Sequence, residues 1–511
     1  MAERSSASLN VARRERELDD IASGSILDVI VIGGGITGAG VALDAASRGL
    51  SVALFEKEDL AFGTSRWSSK LVHGGLRYLA HGDFAVAHES AVERGRLIQH
   101  IAPHLVRPMP TWFPLLQDMD RRSELLIRAG FLAGDTLRRA AKTPVHFLPN
   151  SRRISADEVR AYSAGVKQEG LRGGLLQWDG NLFDDARLVI AVARTAAAHG
   201  AKILTRCDVR EATGTCITVR DTVSGADFEV KARVVINSTG VWAGQLNPDI
   251  RIRPSRGSHI IVNQSALGGL MGSLTVGVEG STSRFVFAIE APHGRAHIGL
   301  TDVETDSVVD VPHATEPEID FLLSTINMAL ETPLTRADVR GTFAGLRPLV
   351  DHGETDSADV SRRHLVTTDA SGMVTVTGGK LTTYRAMAEE AVDAALIAGR
   401  FLPRPCRTAT LGLVGSGTSR AAWVPSWIRA AHGSEAEDVV AQAGANPELL
   451  KRIGPGLDLS AAQFLFGLRH EGAMSIDDLV DRRTRLGMCA DDRETAVGVA
   501  EWALAAVRGE A

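Results

Sequence analysis

The stretch Leu27-Asp28-Val29-Ile30-Val31-Ile32-Gly33-Gly34-Gly35-Ile36-Thr37-Gly38 decides the fold. A run of branched aliphatic residues stops at a block of glycines, as a strand does on entering a tight turn. Ile36 to Ser47 is rich in Ala and other small residues and reads as a helix. Leu50-Ser51-Val52-Ala53-Leu54-Phe55 reads as a second strand. Strand, turn, helix and strand within about thirty residues form a βαβ unit, with both strands parallel in one sheet. The turn has the spacing G-x-G-x-x-G. Gly33 permits the tight turn, Gly35 lets a pyrophosphate approach the backbone, and Gly38 lets helix and strand pack closely. Gly34 and Ile36 belong to the same loop, whose helix N-terminus offers free N–H groups and about half a positive charge to phosphates. Glu56, twenty-one residues after Gly35, ends the second strand. Its carboxylate can accept both ribose hydroxyls of an adenosine and would repel a 2′-phosphate, which disfavours NADP.

Outward from this unit, three segments weigh FAD against NAD. FAD is the larger group and needs contacts spread along the chain. Thr64-Ser65-Arg66-Trp67-Ser68-Ser69-Lys70 is rich in hydroxyls and runs through Leu71 into His73-Gly74-Gly75. Val234 to Gly240 is a strand ending in small residues, and Gly378-Gly379-Lys380-Leu381-Thr382-Thr383 is a glycine pair capping a helix. That helix can aim its N-terminus at the flavin pyrimidine ring, where its dipole and Lys380 would stabilise the reduced anion. Together these segments favour FAD. Thr64, Ser65, Ser68, Ser69, Leu71, His73, Gly74, Gly240, Gly379, Lys380, Leu381 and Thr382 are the candidate contacts.

Composition narrows the rest. The chain has 511 residues, a length prior of about three domains or subdomains. Hydrophobic residues make up 44% and charged residues 23%, which excludes disordered, collagen-like and coiled-coil readings. The net charge of −6 argues against a nucleic-acid partner. Cys207, Cys216, Cys406 and Cys489 are scattered and form no CxxC, so neither disulfides nor a metal site is expected. The N-terminus lacks the apolar core of a signal peptide and no run of 18 apolar residues occurs, so a cytoplasmic protein is expected, at most resting on a membrane surface.

Residues 1–25 are polar and mixed in charge and are expected to be flexible. Helices are expected over 84–102, 121–142 and 185–199. Short β-like runs follow from Ala201 to Ile236, with further alternating segments over 250–350. Pro292-His293-Gly294-Arg295 reads as a turn between two of the latter strands. Pro403 and Pro405 mark a linker before a strand-free, helical end.

The pieces VIGGGITGAG, SSKLVHGGLRYL, DDARLV, STGVWA, RGSHIIV, LTDVE, FAGLRPL, GGKLTTYR and RHEGAMSIDDLVDRRTRLGM span about residues 28 to 488. In them the chain resembles the FAD-dependent glycerol-3-phosphate dehydrogenases, respiratory flavoenzymes of the glycine-oxidase-like superfamily. The resemblance implies an α/β fold with a Rossmann-like FAD-binding domain, an antiparallel-sheet substrate domain and a helical C-terminal domain. It places an oxidoreductase region over 26–400 and the helical domain over 401–511. Within the former, FAD-binding segments are expected at about 26–84, 172–240 and 365–400, and substrate or cap segments at about 85–171 and 241–364. It further implies oxidation of sn-glycerol 3-phosphate to dihydroxyacetone phosphate, with electrons passed to a membrane quinone. A homodimer stays open. Arg66 and Trp67 stand where the family is expected to have small residues, and Leu300 precedes Thr301 where two threonines are usual.

A dianionic phosphate needs several cations, and the planar fork of arginine suits it best. Arg77, Arg347 and Arg362 lie on the family-like segments, with Tyr78 beside Arg77 as a hydroxyl donor and Lys380 as a further cation. The choice of Arg362 over Arg363 comes from the resemblance. His259, in Arg256-Gly257-Ser258-His259, is the candidate base, because an ordinary pKa near 6.5 suits proton removal at neutral pH. In the alternative, Arg347 and solvent manage the proton and His259 orients the hydroxyl.

Residues 121–142 carry Arg121, Arg122, Arg128, Arg138, Arg139 and Lys142 beside Leu125, Leu126, Ile127, Phe131, Leu132 and Leu137. A basic amphipathic helix suits an anionic surface, so peripheral contact with the cytoplasmic face of a membrane is expected. Three rival readings remain: a glycerol-3-phosphate oxidase using oxygen, an amino-acid or sarcosine-type oxidase, and a non-catalytic flavin-binding redox sensor. Three candidate arginines with Lys380 favour phosphate over a carboxylate substrate.

Overall fold

The computed structural model describes residues 6–509 apart from 76–77, 79–82, 118, 120, 282–283, 352–362, 418 and 420. Leu27–Ile32 and Val52–Phe55 pair in parallel, joined by the helix Ile36–Ser47. Asp227–Asn237 lies parallel on the other side of Leu27–Ile32, Val374–Gly378 follows it, and Lys202–Leu204 flanks Val52–Phe55. Helices Ile36–Ser47, Asp185–Ala198 and Tyr384–Ala398 cover this sheet and share one apolar core with Val29, Val31 and Leu54. Strands covered on both faces read as near-continuous apolar runs, which is why Leu27–Ile32 does not alternate.

The second sheet is largely antiparallel and, among the described residues, has ten strands. At its centre are Val106–Pro114, Ser273–Gly277, Phe285–Ala291, Arg295–Gly299, Ile252–Asn263 and Val339–Val350. The helix Glu316–Asn327 seals one face with Ile319, Leu322, Leu323 and Ile326. The Pro-rich stretch before Pro114 is a strand. Pro108 and Pro110 are registered against Gly174–Leu182, while the neighbour Ser273–Gly277 meets this strand at Thr111 and Trp112. A missing N–H is tolerated where one side of a strand is open.

The N-terminal segment differs from the expected flexible tail. Val11–Ala22 is a helix capped by the Asn10 side chain, which accepts from the Arg13 N–H at 3.0 Å. Arg14 is buried and pairs with Asp221 at 2.6 Å, and Leu9 and Ile21 join the cores. Mixed polarity concealed this helix because its anchor is an ion pair to a distant carboxylate. After residue 401 the helices Ser426–His432, Ala436–Ala441, Ala461–His470 and Ala490–Arg508 form two small cores of their own. Among the described residues, no helix is long and apolar enough to cross a membrane.

Candidate functional site

A cavity of about 1500 Å³ is lined from both sheets. Its first end is the glycine loop. Gly33 has φ +104°, a backbone region that only glycine adopts cheaply, and a Cβ on Gly38 would lie 1.9 Å from the Gly33 carbonyl oxygen. The helix Ile36–Ser47 begins behind Gly35 with no side-chain cap from that residue. Ser65 Oγ accepts from the Ile36 N–H at 2.9 Å and so ties the hydroxyl-rich segment to the loop. Glu56 accepts backbone N–H groups of Gly34 and, at 2.8 Å, Glu58, and burial pushes its pKa up to about 7. A glycine turn at a helix N-terminus, with a half-buried carboxylate at the end of the adjacent strand, fits the pyrophosphate and ribose of a dinucleotide.

The expected cofactor residues mostly converge. Gly33, Gly35, Ile36, Glu56, Thr64, Ser65, Ser68 and Ser69 line the cavity, as do Leu71, His73, Gly240, Gly379, Lys380, Leu381 and Thr382. Gly34, Gly38 and Gly74 lie outside the lining; a Cβ on Gly74 would meet the Arg94 guanidinium at 2.4 Å. Ser68 is committed to Asp185, which accepts from its N–H at 2.9 Å and its hydroxyl at 2.8 Å. Lys70 Nζ also reaches Asp185 at 3.0 Å, in a fully buried pair.

The second end is built on Ile252–Asn263 and its neighbours. Register sets His259 opposite Gly299 on one side and Phe343 on the other. Its ring stacks on Phe343 at 4.5 Å and 9°, and Nε2 lies 2.9 Å from Ser69 Oγ. Burial, with Lys70, His297 and Arg347 nearby, holds its pKa well below the ordinary value. This environment favours the neutral imidazole, which an ordinary value near 6.5 already makes the major form at pH 7. Arg347 donates to Asp302 at 2.8 Å, to Ser255 Oγ at 3.1 Å and to the Thr301 carbonyl at 3.1 Å. Tyr78 is buried, with Lys380 Nζ 4.3 Å above its ring, and all four of these side chains border the cavity. Arg77 and Arg362 lie outside the described residues.

Sequence reasoning missed Asp302 and Ser255, which hold Arg347, and the pair Lys70–Asp185, which holds the segment carrying Ser69. The motifs LTDVE and DDARLV contained both aspartates, but neither motif names its partner. The same cavity is also lined by Thr111, Thr275, Phe285 and Phe287, and by Ile127 and Phe131 of the helix Arg121–Ala140. Leu125, Leu126 and Leu132 of that helix are exposed at 67%, 56% and 54%. Arg138 corrects the expected basic face: it is buried, donating to the Thr143 carbonyl at 2.7 Å and to Asn150 at 2.8 Å.

Residues 28–385 match the FAD dependent oxidoreductase family, and residues 406–507 match the C-terminal domain of alpha-glycerophosphate oxidase. The chain is 49% identical over 507 residues to glycerol-3-phosphate dehydrogenase 1 of Mycobacterium tuberculosis, covering 97% of this chain and 98% of that one. Its structure is similar to that of the glycerol-3-phosphate dehydrogenase from Bacillus halodurans complexed with FAD. There the TM-score is 0.74 and the identity 26%, over 99% of this chain and 95% of that one. Glycine oxidase from Bacillus cereus, at 19% identity and TM-score 0.50 over 74% of this chain and 99% of that one, shares the fold alone.

Proposed function

Because the chain belongs to the FAD-dependent glycerol-3-phosphate dehydrogenase family, with FAD as its cofactor, we propose that it oxidises sn-glycerol 3-phosphate to dihydroxyacetone phosphate and passes the electrons to a membrane quinone. The observation that carries this reading is the meeting of Arg347, Lys380, Tyr78 and His259 in the cavity that begins at the glycine loop. FAD, when bound, would supply the two-electron acceptor for oxidation at C2 of the substrate.

The chain's own residues do the rest. Arg347 and Lys380 hold the phosphate, and Tyr78 donates its hydroxyl to it. Arg77 and Arg362 belong to the same set by sequence position. His259 accepts the proton of the C2 hydroxyl. Its neutral imidazole has the lone pair this requires, and the dianion's charge raises its pKa on binding. Stacking on Phe343 and the contact with Ser69 keep the ring from rotating away. Apolar walls at Phe285 and Phe287 exclude water from the reacting carbon.

The quinone reading is supported by the cavity lining, which includes Leu126, Ile127 and Phe131 of the helix Arg121–Ala140. The exposed leucines of that helix and Arg121, Arg122, Arg128 and Arg139 suit the cytoplasmic face of an anionic membrane. Co-sedimentation with anionic liposomes is expected, and Leu126→Glu weakens it. The reading as a whole is tested by adding glycerol 3-phosphate anaerobically to the purified protein: the flavin absorbance bleaches, and a spectrum that does not change overturns the assignment. An oxidase is the second reading, favoured by the match of residues 406–507 to the C-terminal domain of alpha-glycerophosphate oxidase. Stoichiometric peroxide under air, with no quinone reduction, would select it.

A further inference from the structure

The motif RHEGAMSIDDLVDRRTRLGM has no part in the chemistry above, yet its arginines reach across to the cofactor side. Arg483 grips Asp59 with both Nη atoms at 2.7 and 2.9 Å, and Arg482 Nε reaches the same carboxylate at 2.6 Å. Arg485 pairs with Asp184 at 3.2 Å and donates to the Arg66 carbonyl. Asp478 accepts from Arg206 at 2.6 Å, and the Arg206 N–H bonds the Glu58 carbonyl at 3.0 Å. Arg482, Arg483 and Arg485 are at most 6% exposed.

All of these contacts bear on one segment and its flanks. Glu56, Thr64, Ser65, Ser68 and Ser69 form one wall of the cavity, and the Ala61 N–H returns to the Gly34 carbonyl at 3.0 Å. The backbone here is strained. Ala61, Lys70, Arg206 and Arg485 have φ of 59° to 62°, and they are four of the seven non-glycine residues with positive φ among the described residues. Such conformations carry a steric penalty and persist where the surroundings over-determine them, often at ligand clamps. Charge adds a second load. Arg66 is 3% exposed and has no carboxylate within ion-pair distance among the described residues. It is wedged over Phe62 and Trp67 at 5.1 and 4.3 Å, and burial with Arg485 and Arg482 alongside pushes its pKa down to about 9.

We propose that the C-terminal segment Asp478–Arg485 is a clamp that retains FAD, with Arg485 the positioning residue that holds Arg66–Ser69 against the cavity. This rests on the reading that FAD lies along that segment. Without Arg485 the strained loop is relieved of one repelling cation but loses its tether on the Arg66 carbonyl, and it opens.

The test is the rate at which FAD leaves the purified holoprotein on dilution, read as the rise in free-flavin fluorescence. Arg485→Gly keeps the left-handed backbone available while removing the guanidinium, and is expected to release FAD at least about tenfold faster than wild type. Arg485→Lys restores part of the retention, because an ammonium can still donate to the carbonyl. Arg295→Met breaks a different tie of the C-terminal domain, the pair Arg295–Asp492 at 2.5 Å, and keeps the wild-type rate. If Arg485→Gly fails to fold, Asp184→Asn, which preserves the cap of Asp185–Ala198, reads the same loss. Wild-type release from Arg485→Gly overturns the clamp, and so does equal release from Arg295→Met, which would mean general loosening. A wild-type chain that cannot bind FAD defeats the cofactor reading itself, a separate outcome.

Discussion

Arg347 and Arg483 each hold an aspartate, in two regions that a sequence treats alike. Arg483 is 1% exposed and spends its fork on Asp59, which Arg482 shares. Arg347 is 18% exposed, pairs with Asp302 at 2.8 Å, and borders the cavity. The difference teaches that a guanidinium joined to a carboxylate is structural or functional according to what its remaining surface faces. At the C-terminal interface it faces protein; on the antiparallel sheet it borders the cavity.

The comparison breaks most visibly under paired truncation. Arg347→Ala is expected to raise the KM for glycerol 3-phosphate until kcat/KM has fallen about 10³-fold, with flavin content unchanged, since truncating a charged partner of an anion costs about 2–5 kcal/mol. Arg483→Ala should leave KM alone and lower unfolding stability by about 3–5 kcal/mol, because it strands Asp59 beside one cation fewer. Steady-state kinetics and denaturant melts distinguish the two. A wild-type KM in Arg347→Ala removes the phosphate assignment.

Next in size is His259→Ala. It should lower kcat by about 10²–10⁴ with a modest change in KM, as for loss of a general base. If KM rises and kcat holds, the ring only orients the hydroxyl.

Acid sharpens the contrast from the other side. Asp59 has its pKa lowered to about 2 although burial alone would raise it, because Arg483 and Arg482 favour the anion. Its folded value lies below its unfolded one. The stabilisation is therefore present above about pH 4 and is lost as pH falls from about 4 to about 2, an effect on the order of 2 kcal/mol. Melting temperatures of wild type and Asp59→Asn measured across that window should converge toward low pH. Parallel curves contradict the pairing.

The smallest effect expected is that of Asp302→Asn. The amide keeps a hydrogen bond to Arg347 but not the charge, so KM should change severalfold with kcat preserved, about 1 kcal/mol. A collapse of kcat instead would place Asp302 in the chemistry itself.

Much of this was legible in one dimension. The glycine loop is local: its turn, its helix N-terminus and Glu56 sit within about thirty residues, and a βαβ unit has few ways to fold. Arg347, Lys380 and His259 stood out because each lies in a motif with a resemblance behind it. Their partners did not stand out. Asp302 is 45 residues from Arg347, and Asp185 is 115 from Lys70. Arg138 sits among five other cations of an amphipathic stretch, and pattern alone could not turn it inward to Thr143 and Asn150. Arg14 looked like part of a polar tail until Asp221 gave it a reason to be buried.

By itself, then, the amino-acid order determined the nucleotide-binding unit, the cofactor class and the identity of the charged groups, because these follow from neighbours along the chain and from side-chain chemistry. Only the tertiary structure decided which of many arginines face a cavity and which are neutralised inside protein, that His259 is buried against Phe343, and that the C-terminal arginines reach Asp59 and the Arg66 carbonyl. The physical reason is that charge and burial are properties of surroundings, and those surroundings are assembled from residues tens to hundreds of positions apart.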